Sequence, residues 1–556
     1  MGKGEHAVKI SRQSFLAKGL AILGSVSGLG TFSFSSCVRK SPPLPGGIVG
    51  ANAKIGHLLR TGKLGVPTRT VEHSVVIVGG GVSGLSAART LKKQGMNDFV
   101  LLDLDEKLGG NAVSGGNEAT EYSWGAHYLP LPNAENHDLL AFLEEHDIIT
   151  GYDATGKPIY NEYYLCFEPE DRLYIKGQWQ EGLIPHMGLT PPDQSDMKHF
   201  FDLIAAYKKA KGKDGKWAFT IPVAACSADE EFTSLDGLTM EQFLQQQGLQ
   251  SSYLHWYLNY CCRDDFGTEL KDTSAWAGIH YFASRRALAA NAESSAVLTW
   301  PSGNGFLVKQ LRQTLGSHEQ VSCLVYRLTL EAGKVLVDTF DWKKQELVRI
   351  KADKVILAVP QFIVQRLLTA ESLRSASFYR AFTYAPWLVA NLTLSQKPNP
   401  ASGPPLSWDN VFYNSPSLGY IYANHMNLPQ HPAKHVLTYY LPLSDTSPKV
   451  ARIDAYRRSF QSWSDRIMDD MRKVHPEIDQ LVERLDIKIW GHGMIRPTKG
   501  FITGAERQQA LQPINNLLFF AHSDLSGISI FEEAFYQGNR AAKELLHSLS
   551  PSRYVG

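Results

Sequence analysis

A glycine-punctuated strand, turn and helix constrain the fold of this chain more than any other segment. Residues 75–89 read VVIVGGGVSGLSAAR, an apolar run followed by a glycine turn and an amphipathic helical pattern. Gly79 allows a tight turn, Gly81 lets the backbone approach a phosphate, and Gly84 lets the helix pack closely on the strand. The segment therefore predicts the first strand–turn–helix of a dinucleotide-binding domain.

The residues that follow extend this prediction. Ser83 lies in the first helical turn, where unpaired N–H groups and the positive end of the helix dipole favour a phosphate. Asp103 ends the next apolar run, nineteen positions after the last glycine, where a carboxylate accepts ribose hydroxyls. A second glycine pair, Gly109 and Gly110, with Asn111 after it, is typical of the FAD variant of the motif rather than of a simple NAD domain. We therefore expect one non-covalently bound FAD.

The C-terminal end of the chain carries a second motif. Residues 516–524 form an apolar run that ends in a polar turn, and residues 531–542 predict a helix with small side chains on one side. This arrangement resembles the closing motif of the flavin-containing amine oxidase superfamily. The resemblance implies that Asp524 binds the ribityl or pyrophosphate part of FAD, and that Glu532 and Ala534 lie at the pyrimidine end of the flavin.

The same resemblance covers roughly residues 74–548, and it implies that the backbone of Val325 meets the adenine. The expected fold class is α/β, a Rossmann-like FAD-binding domain assembled from three segments with an inserted α+β substrate domain. The three FAD-binding segments are residues 74–150, 296–369 and 490–556. The substrate domain comprises residues 151–295, mostly helical in pattern, and residues 370–489, with a strand at 387–394 and a long amphipathic helix at 450–474.

The N-terminal region predicts export rather than part of the fold. Residues 1–37 resemble a twin-arginine signal, with Arg12 followed by Gln13, a moderately apolar run, and a lipoprotein-like site at Cys37. Residues 38–73 include a stretch rich in proline and glycine and predict a linker. We expect the protein in the periplasm or associated with the envelope, with a lipid anchor at Cys37.

Composition excludes several other classes of function. With 43% hydrophobic residues the chain can bury large cores, and a formal charge of +1 provides no electrostatic reason to expect a nucleic-acid partner. The cysteines other than Cys37 are odd in number and show no metal-ligand spacing, so neither a disulfide framework nor a metal site is predicted.

The residues that would carry the chemistry are less clear. Many amine oxidases place a lysine on the substrate-domain strand and a tyrosine before the closing motif, but Asn391 and Ile530 stand near those positions here. The segment Gly-His-Gly-Met-Ile-Arg before the last FAD-binding strand offers polar side chains instead. The candidate catalytic residues are His492, Arg496, His127 and His522.

The expected function is that of an FAD-dependent oxidoreductase acting on a small-molecule substrate. A hydride would pass from a substrate C–H next to an amine nitrogen to flavin N5, with oxygen or a membrane electron carrier as the final acceptor. Two alternatives stay open. One is a desaturase or isomerase of a lipophilic, carotenoid- or prenyl-like substrate, and the other is a non-enzymatic envelope flavoprotein.

Overall fold

The computed structural model describes residues 44–50, 52–62, 64–368, 374–399, 402–427 and 432–549. The predicted export signal and the lipid-anchor cysteine, Cys37, lie outside the described residues. No helix in the described part of the chain is long and apolar enough to cross a membrane.

A seven-stranded sheet forms the nucleotide-binding side of the molecule. Val75 and Ile77 of its central strand pack into one core, and Val76 and Val78 pack into another on the opposite face. A parallel strand buried on both faces reads as a continuous apolar run, as this one does. Along the sheet the strands are Glu319–Gln320, Phe99–Leu102, Arg69–Val78, Glu346–Leu357, Lys334–Asp341 and Cys323–Glu331, and Leu518–Phe520 also pairs with Glu346–Leu357.

Helices cover this sheet and place its glycine turn. Val82–Lys93 begins directly after the turn, and the C-terminal helix Phe531–Leu549 packs against it. The predicted α/β fold class is confirmed. The remaining helices of seven or more residues are His137–Glu145, Pro191–Lys209, Met240–Gln246, Ser252–Phe266, Ala275–Ala283, Gly305–Gln313, Gln361–Leu367, Pro448–Arg457 and Phe460–Arg472.

A second, eight-stranded sheet forms the other side of the molecule. Its two longest strands are the antiparallel pair Tyr384–Leu394 and Val482–Ile495, and every residue of the first of these strands is buried. Along this sheet the strands are Gly46–Val49, Val482–Ile495, Tyr384–Leu394, His435–Pro442, Gly419–Tyr422, Asp409–Phe412, Asp171–Ile175 and Gln178–Glu181. The short strands outside the two large sheets are Ser114–Gly116, Glu121–Ser123, Tyr128–Pro130, Ile149–Tyr152, Pro158–Tyr160 and Val297–Thr299.

The structure differs from the expected long helix at 450–474. Two helices, Pro448–Arg457 and Phe460–Arg472, occupy this region. Ser459 has extended backbone angles and its side chain accepts a hydrogen bond from the Ser462 N–H. A serine in this conformation caps a new helix, so the first helix ends before it.

The first part of the substrate domain is also less helical than expected. Residues 151–190 contain strands, and Asp171–Ile175 and Gln178–Glu181 join the second sheet. Helices predominate only from Pro191 onward. Short alternating strands of four or five residues carry too little periodicity to stand out beside the longer helical patterns that follow.

Part of the expected linker is folded onto the body of the protein. Gly46–Val49 pairs in parallel with Leu485–Lys488, and Arg69 already belongs to the central strand of the first sheet. Val482–Ile495 is one uninterrupted strand, so residues 490–495 lie in the second sheet rather than in the nucleotide-binding domain. Residues 46–49 and 490–495 differ from the prediction because their backbones pair with strands that are distant in the chain.

Candidate active site

Gly79, Gly81 and Gly84 are each glycine for a different physical reason. Gly79 has a φ of +105°, and a Cβ there would lie 2.4 Å from the carbonyl oxygen of Ala358. A Cβ at Gly84 would lie 1.9 Å from the carbonyl oxygen of Gly79. At Gly81 the nearest protein atom to a Cβ is the Cα of Gly110, 3.9 Å away. Space for a side chain therefore exists at Gly81, and a bound group that needs this space explains the glycine.

Asp103 lies at the same end of the sheet with one side open to this space. Its Oδ2 accepts a hydrogen bond from the Gly80 N–H at 2.6 Å, and its Oδ1 accepts one from the Asp105 N–H at 2.7 Å. Burial raises the pKa of Asp103 to about 6, although these two N–H donors lower it. Each carboxylate oxygen keeps a lone pair for a ribose hydroxyl.

Asp524 approaches the cleft from the C-terminal turn and is fully buried. Its Oδ2 accepts hydrogen bonds from the Tyr384 hydroxyl at 2.5 Å and the Gln361 N–H at 2.9 Å, and its Oδ1 lies 2.9 Å from His522 Nδ1. Burial would raise the pKa of Asp524, but the neighbouring imidazole and these donors together lower it. The group is therefore held as a carboxylate beside the cleft.

The cleft is continuous from the glycine turn to this carboxylate. No lysine or arginine is among the described residues that line it, so the N–H groups at the start of Val82–Lys93 are the donors available to a pyrophosphate. This donor set, with the open space at Gly81, fits FAD. The residues that line the cleft and would hold the cofactor are Gly79, Gly81, Ser83, Asp103, Gly109, Gly110, Asn111, Tyr384, His492, His522, Asp524 and Ala534.

Three predicted cofactor residues lie elsewhere. Gly84 serves helix packing, as its contact with Gly79 shows. Val325 is buried in the strand Cys323–Glu331 and does not line the cleft, although the neighbouring Cys323 N–H donates to the Asp103 carbonyl. Glu532 lines a deeper cavity, where it pairs with Arg285 at 3.3 Å.

This inner cavity, of about 140 Å³, adjoins the cleft and shares Asn111, Ala126 and Ile530 with it. Its walls on the side of the second sheet are aromatic or apolar. Asn391 does not face it, because the Asn391 amide bonds the Ser123 carbonyl and the Thr438 hydroxyl inside the sheet. The residues that the second sheet contributes to this cavity are Trp387, Val389, Tyr440, Trp490, Gly493 and Met494.

Two of the candidate histidines face these cavities as neutral groups. His492 lines the cleft and stacks on Phe362 with 3.9 Å between ring centroids. Burial lowers its pKa to about 3, and the positive charges of Arg452 and Arg60 add to this effect. His127 lines the inner cavity, and burial lowers its pKa to about 4. Both imidazoles are therefore neutral at pH 7.

Arg496 does not reach the cleft or the inner cavity, which contradicts the prediction for this residue. Its guanidinium hydrogen-bonds the Thr268 hydroxyl at 3.2 Å and pairs with the Asp272 carboxylate at 3.1 Å. Arg496 comes directly after the end of the strand Val482–Ile495, where the chain leaves the cavity wall. His522 does lie in the cleft, where it is engaged with Asp524.

An outer chamber of about 160 Å³ continues from the inner cavity and was missed in the sequence. The two spaces share His127, Tyr128, Asp264 and Tyr440. The chamber extends to Ser295, which is exposed. Its described lining includes no lysine or arginine. Its acidic and aromatic members are Glu170, Asp171, Asp264, Asp409, Tyr128, Tyr260, Tyr281, Trp408, Tyr420 and Tyr440.

The carboxyl groups of this region hold their protons unusually tightly. Burial and the negative charge of Asp265 raise the pKa of Asp264 to about 7, against the opposing positive charge of Arg285 in the inner cavity. Burial raises the pKa of Asp265 to about 6, with Arg285 opposing the shift. Burial, then Asp264 and Asp171, raise the pKa of Asp409 well above its usual value. Since no described side chain forms a hydrogen bond or ion pair with Asp264, a cation in the chamber would have this carboxylate available.

One feature of the sequence, a pair of acidic residues in an apolar helix, pointed to the chamber, but only the fold shows what it means. Asp264 and Asp265 follow the cysteine pair near the end of the helix Ser252–Phe266, an apolar region where acidic residues are unexpected. Acidic side chains are seldom buried unless they are paired or functional. Asp409 and Asp171 come from separate strands, and their proximity is not visible in the chain.

The fold and the cleft define an FAD-dependent oxidoreductase. The sequence profile of the family described as flavin containing amine oxidoreductase matches residues 82–546, and this chain belongs to that family. No curated protein matches the chain in sequence at a significant level.

Solved structures of low sequence identity share the fold. A double mutant of putrescine oxidase is similar with a TM-score of 0.63 and 14% identity, over 86% of this chain and 99% of that chain. Cyclohexylamine oxidase from Brevibacterium oxydans IH-35A is similar with a TM-score of 0.60 and 12% identity, over 86% and 100%. A conjugated-linoleic-acid-producing fatty acid isomerase from P. acnes has a TM-score of 0.58 and 15% identity, over 84% and 97%.

Proposed function

We propose that this protein oxidises a small cationic amine at the C–H next to the amine nitrogen. The observation that carries the proposal is the acidic and aromatic outer chamber, whose described lining lacks a positive side chain. An ammonium group is stabilised there both by carboxylates and by the faces of aromatic rings. Two half-buried acidic residues of the lining, Glu170 and Asp171, would also attract a cation towards the chamber.

The residues of the chamber and of the inner cavity would bind the amine and exclude water. When bound, FAD supplies the hydride-accepting N5 atom. Asp264 lies at the junction of the chamber and the inner cavity, so an ammonium held there places the adjacent carbon towards the cleft. Trp387, Trp490 and Tyr440 wall the inner cavity and keep water from the reacting carbon.

The same observation separates this proposal from the two alternatives. A lipophilic substrate would leave the half-buried carboxyl group of Asp264 without a partner, at a cost in binding free energy. A non-enzymatic flavoprotein has no need of a cavity beside its cofactor, and here a cavity adjoins the cleft. The chamber therefore favours an amine substrate.

Anaerobic mixing tests the proposal. Purified holoenzyme is mixed with mono- and diamines, and with alcohols and carboxylates of the same carbon skeleton, while bleaching of the oxidised flavin band is followed. We expect amines alone to bleach it. The proposal would be contradicted if the neutral alcohols bleached the flavin at the same rate as the amines, or if none of the amines bleached it.

A substitution at Asp264 sharpens the test. Removing one member of a buried charge pair costs about 2–5 kcal/mol, so Asp264→Asn should lower kcat/KM for the amine by roughly 30-fold or more. Since the pKa of Asp264 is raised to about 7, wild-type kcat/KM should fall as the pH drops below about 7, and this limb should be absent in the variant. Asp465→Asn on an exposed helical face is the matched control and should behave as wild type.

Export and lipidation stay proposals of this work, supported by the pattern of residues 1–37. Arg12→Lys should retain the protein in the cytoplasm, and Cys37→Ala should block lipidation. Cell fractionation with labelled fatty acid measures both. A reporter that is active only in the cytoplasm, fused at the C-terminus and active in wild type, would contradict export.

A further inference from the structure

We infer that a second cavity, on the far side of the Trp490 ring, binds a quinone that takes the electrons from the cofactor. This cavity, of about 550 Å³, is formed by the N-terminal strand Gly46–Val49, the loop after Asp103 and the strand Val482–Ile495. The inference rests on the proposed amine oxidation, because that reaction needs an electron acceptor.

Among the charged side chains that line this cavity, Lys488 is the buried one. Only 7% of the residue is exposed, and burial lowers the pKa of its ammonium group to about 8. Its Nζ lies 4.2 Å from the centroid of the Trp490 ring, and no described residue accepts a hydrogen bond from it. A Cβ at Gly50 would lie 2.8 Å from Lys488 Cγ, so the N-terminal segment covers the lysine stem directly.

The rest of the lining selects the class of ligand. Trp124, Trp342 and Tyr456 offer flat apolar faces, which suit a planar ring. Asp105 and Glu106 offset the charges of Lys54 and Lys107 in the same lining, so the lining does not call for a strongly charged ligand. A neutral planar ring with carbonyl oxygens satisfies all of these features, because its oxygen accepts a hydrogen bond from the Lys488 ammonium without carrying a charge.

The position of the cavity suits electron transfer. Trp490 lines the inner cavity, and its Nε1 donates a hydrogen bond to the carbonyl oxygen of Trp124 at 2.6 Å. Trp124 and Gly110 line the second cavity, and Gly110 also lines the cofactor cleft. The second cavity therefore adjoins the cofactor cleft at Gly110, and because it has no lining residue in common with the inner cavity, the quinone does not compete with the amine for space.

The reaction balances with the quinone as oxidant. The quinone ring gains two electrons and each of its two oxygens gains one proton, which yields a hydroquinone. The same two electrons and two protons leave the reduced cofactor, which returns to its oxidised form. One proton passes through the Lys488 ammonium, which donates it to the nearer oxygen and is then reprotonated.

The source of the quinone is suggested by the surface around the cavity. Ile48, Val49 and Tyr456 are exposed beside it, and Val450 and Ile453 are exposed on the same short helix as Tyr456. An exposed apolar group of this kind, with Lys449 and Arg457 on the helix, is typical of a surface that rests on a membrane. A membrane quinone would then enter from the lipid.

The test uses holoenzyme reduced by light with oxalate as the electron donor, without any amine and in the absence of oxygen. The probe is 2,3-dimethoxy-5-methyl-1,4-benzoquinone, and two quantities are measured: the return of oxidised flavin absorbance, and quenching of tryptophan fluorescence in the oxidised enzyme. Wild type should show saturable behaviour in both. Lys488→Met should weaken both at least tenfold, while Lys309→Met, an exposed lysine of another helix, should match wild type. Reoxidation by oxygen should be equal in all three proteins.

The outcomes separate this inference from the proposed function. Equal quenching and equal quinone rates in Lys488→Met and wild type would overturn it, and so would loss of FAD from the variant, since the cavity would then belong to the cofactor site. If no amine bleaches the flavin but the light-reduced enzyme still reacts saturably with quinone, only the amine proposal fails. A long-chain quinone in phosphatidylcholine vesicles that reacts faster than the soluble ring identifies the membrane as the source.

Discussion

At the scale of single residues, similar side chains carry different duties because their surroundings differ. Gly81 and Gly84 belong to one motif, yet only Gly84 is required by contacts within the protein. Asp103 and Asp524 both lie at the cofactor cleft, but the pKa of Asp103 is raised by burial and that of Asp524 is lowered by its hydrogen-bond donors. The chemistry of each group follows from its neighbours and not from its type.

Valine substitutions at Gly81 and Gly84 should have different effects. Gly81→Val should fold, because its backbone angles of φ −73° and ψ −178° suit any residue and its side chain has space, but it should bind no FAD. Gly84→Val should instead fail to fold stably, since its Cβ would overlap the Gly79 carbonyl oxygen. FAD content and circular dichroism of the purified proteins measure the two effects. A yellow, FAD-saturated Gly81→Val protein would show that the cofactor lies elsewhere.

Substitution of Asp264 should increase the stability of the protein while it weakens amine oxidation. Because its folded-state pKa of about 7 is raised above its ordinary value, its contribution to stability is present below about pH 4 and is lost as the pH rises through about 7. Without amine at pH 8, Asp264→Asn should unfold with a free energy roughly 1–3 kcal/mol larger than wild type, after allowance for solvent in the cavity. Urea unfolding at pH 8 and near pH 4 measures this. An equal difference at both pH values would contradict the assignment.

At the scale of elements, one strand serves three cavities. Lys488 and Trp490 alternate along Val482–Ile495 and therefore share one face of the strand, whereas His492 follows an irregularity in the strand pairing between Trp490 and Met494. They face, in turn, the second cavity, the inner cavity and the cofactor cleft. The period of the strand thus places the acceptor site beside the dividing wall, and the irregular pairing after Trp490 accompanies the cofactor contact of His492.

Two substitutions of Glu533, at the start of the C-terminal helix, test how this helix is held to the substrate domain. Glu533 is fully buried and its Oε1 accepts a hydrogen bond from the Val223 N–H at 2.7 Å, which ties the helix to the substrate domain. Glu533→Ala leaves this N–H unpaired and should lower the free energy of unfolding by about 1–3 kcal/mol. Glu533→Gln keeps the acceptor, so its loss should be smaller. Denaturant unfolding at pH 7 compares them, and equal losses would show that the bond to Val223 is not the cause.

At the scale of the whole molecule, the cofactor cleft is shared by both sheets. Gly79 and Asp103 come from the first sheet, while Tyr384 and His492 come from the second. The Tyr384 hydroxyl reaches Asp524, and the Tyr440 hydroxyl donates to the Gly125 carbonyl at 2.8 Å. Polar contacts around the cofactor site therefore hold the two sides together.

This arrangement predicts that cofactor and global stability are coupled. FAD at 100 times its Kd should stabilise the folded protein by about 2.7 kcal/mol, and both sides should unfold in one transition. Calorimetry with and without added FAD measures this, with Gly81→Val as the insensitive control. Acid precipitation should release the flavin from the chain. Two separate transitions, or flavin that stays attached to the denatured chain, would contradict the coupled, non-covalent arrangement.

The division between local and tertiary information is clear in particular residues. The turn at Gly79–Gly84, the acid Asp103 and the strand before Asp524 were predictable, because close approach to a nucleotide imposes residue types at short, regular spacing. The α/β class followed from the same patterns. Local sequence by itself therefore determined that this chain binds a dinucleotide and which end of the sheet holds it.

Only the tertiary structure decided what lies beyond the cofactor. Asp264, Asp409 and Asp171 come from a helix and two strands far apart in the chain, and their shared chamber exists only after packing. Arg496 looked equivalent to His492 in the sequence, but the end of a strand between them turned it towards Asp272. Long-range pairing and burial set these positions and shift these pKa values, and neither is encoded in the spacing of neighbouring residues.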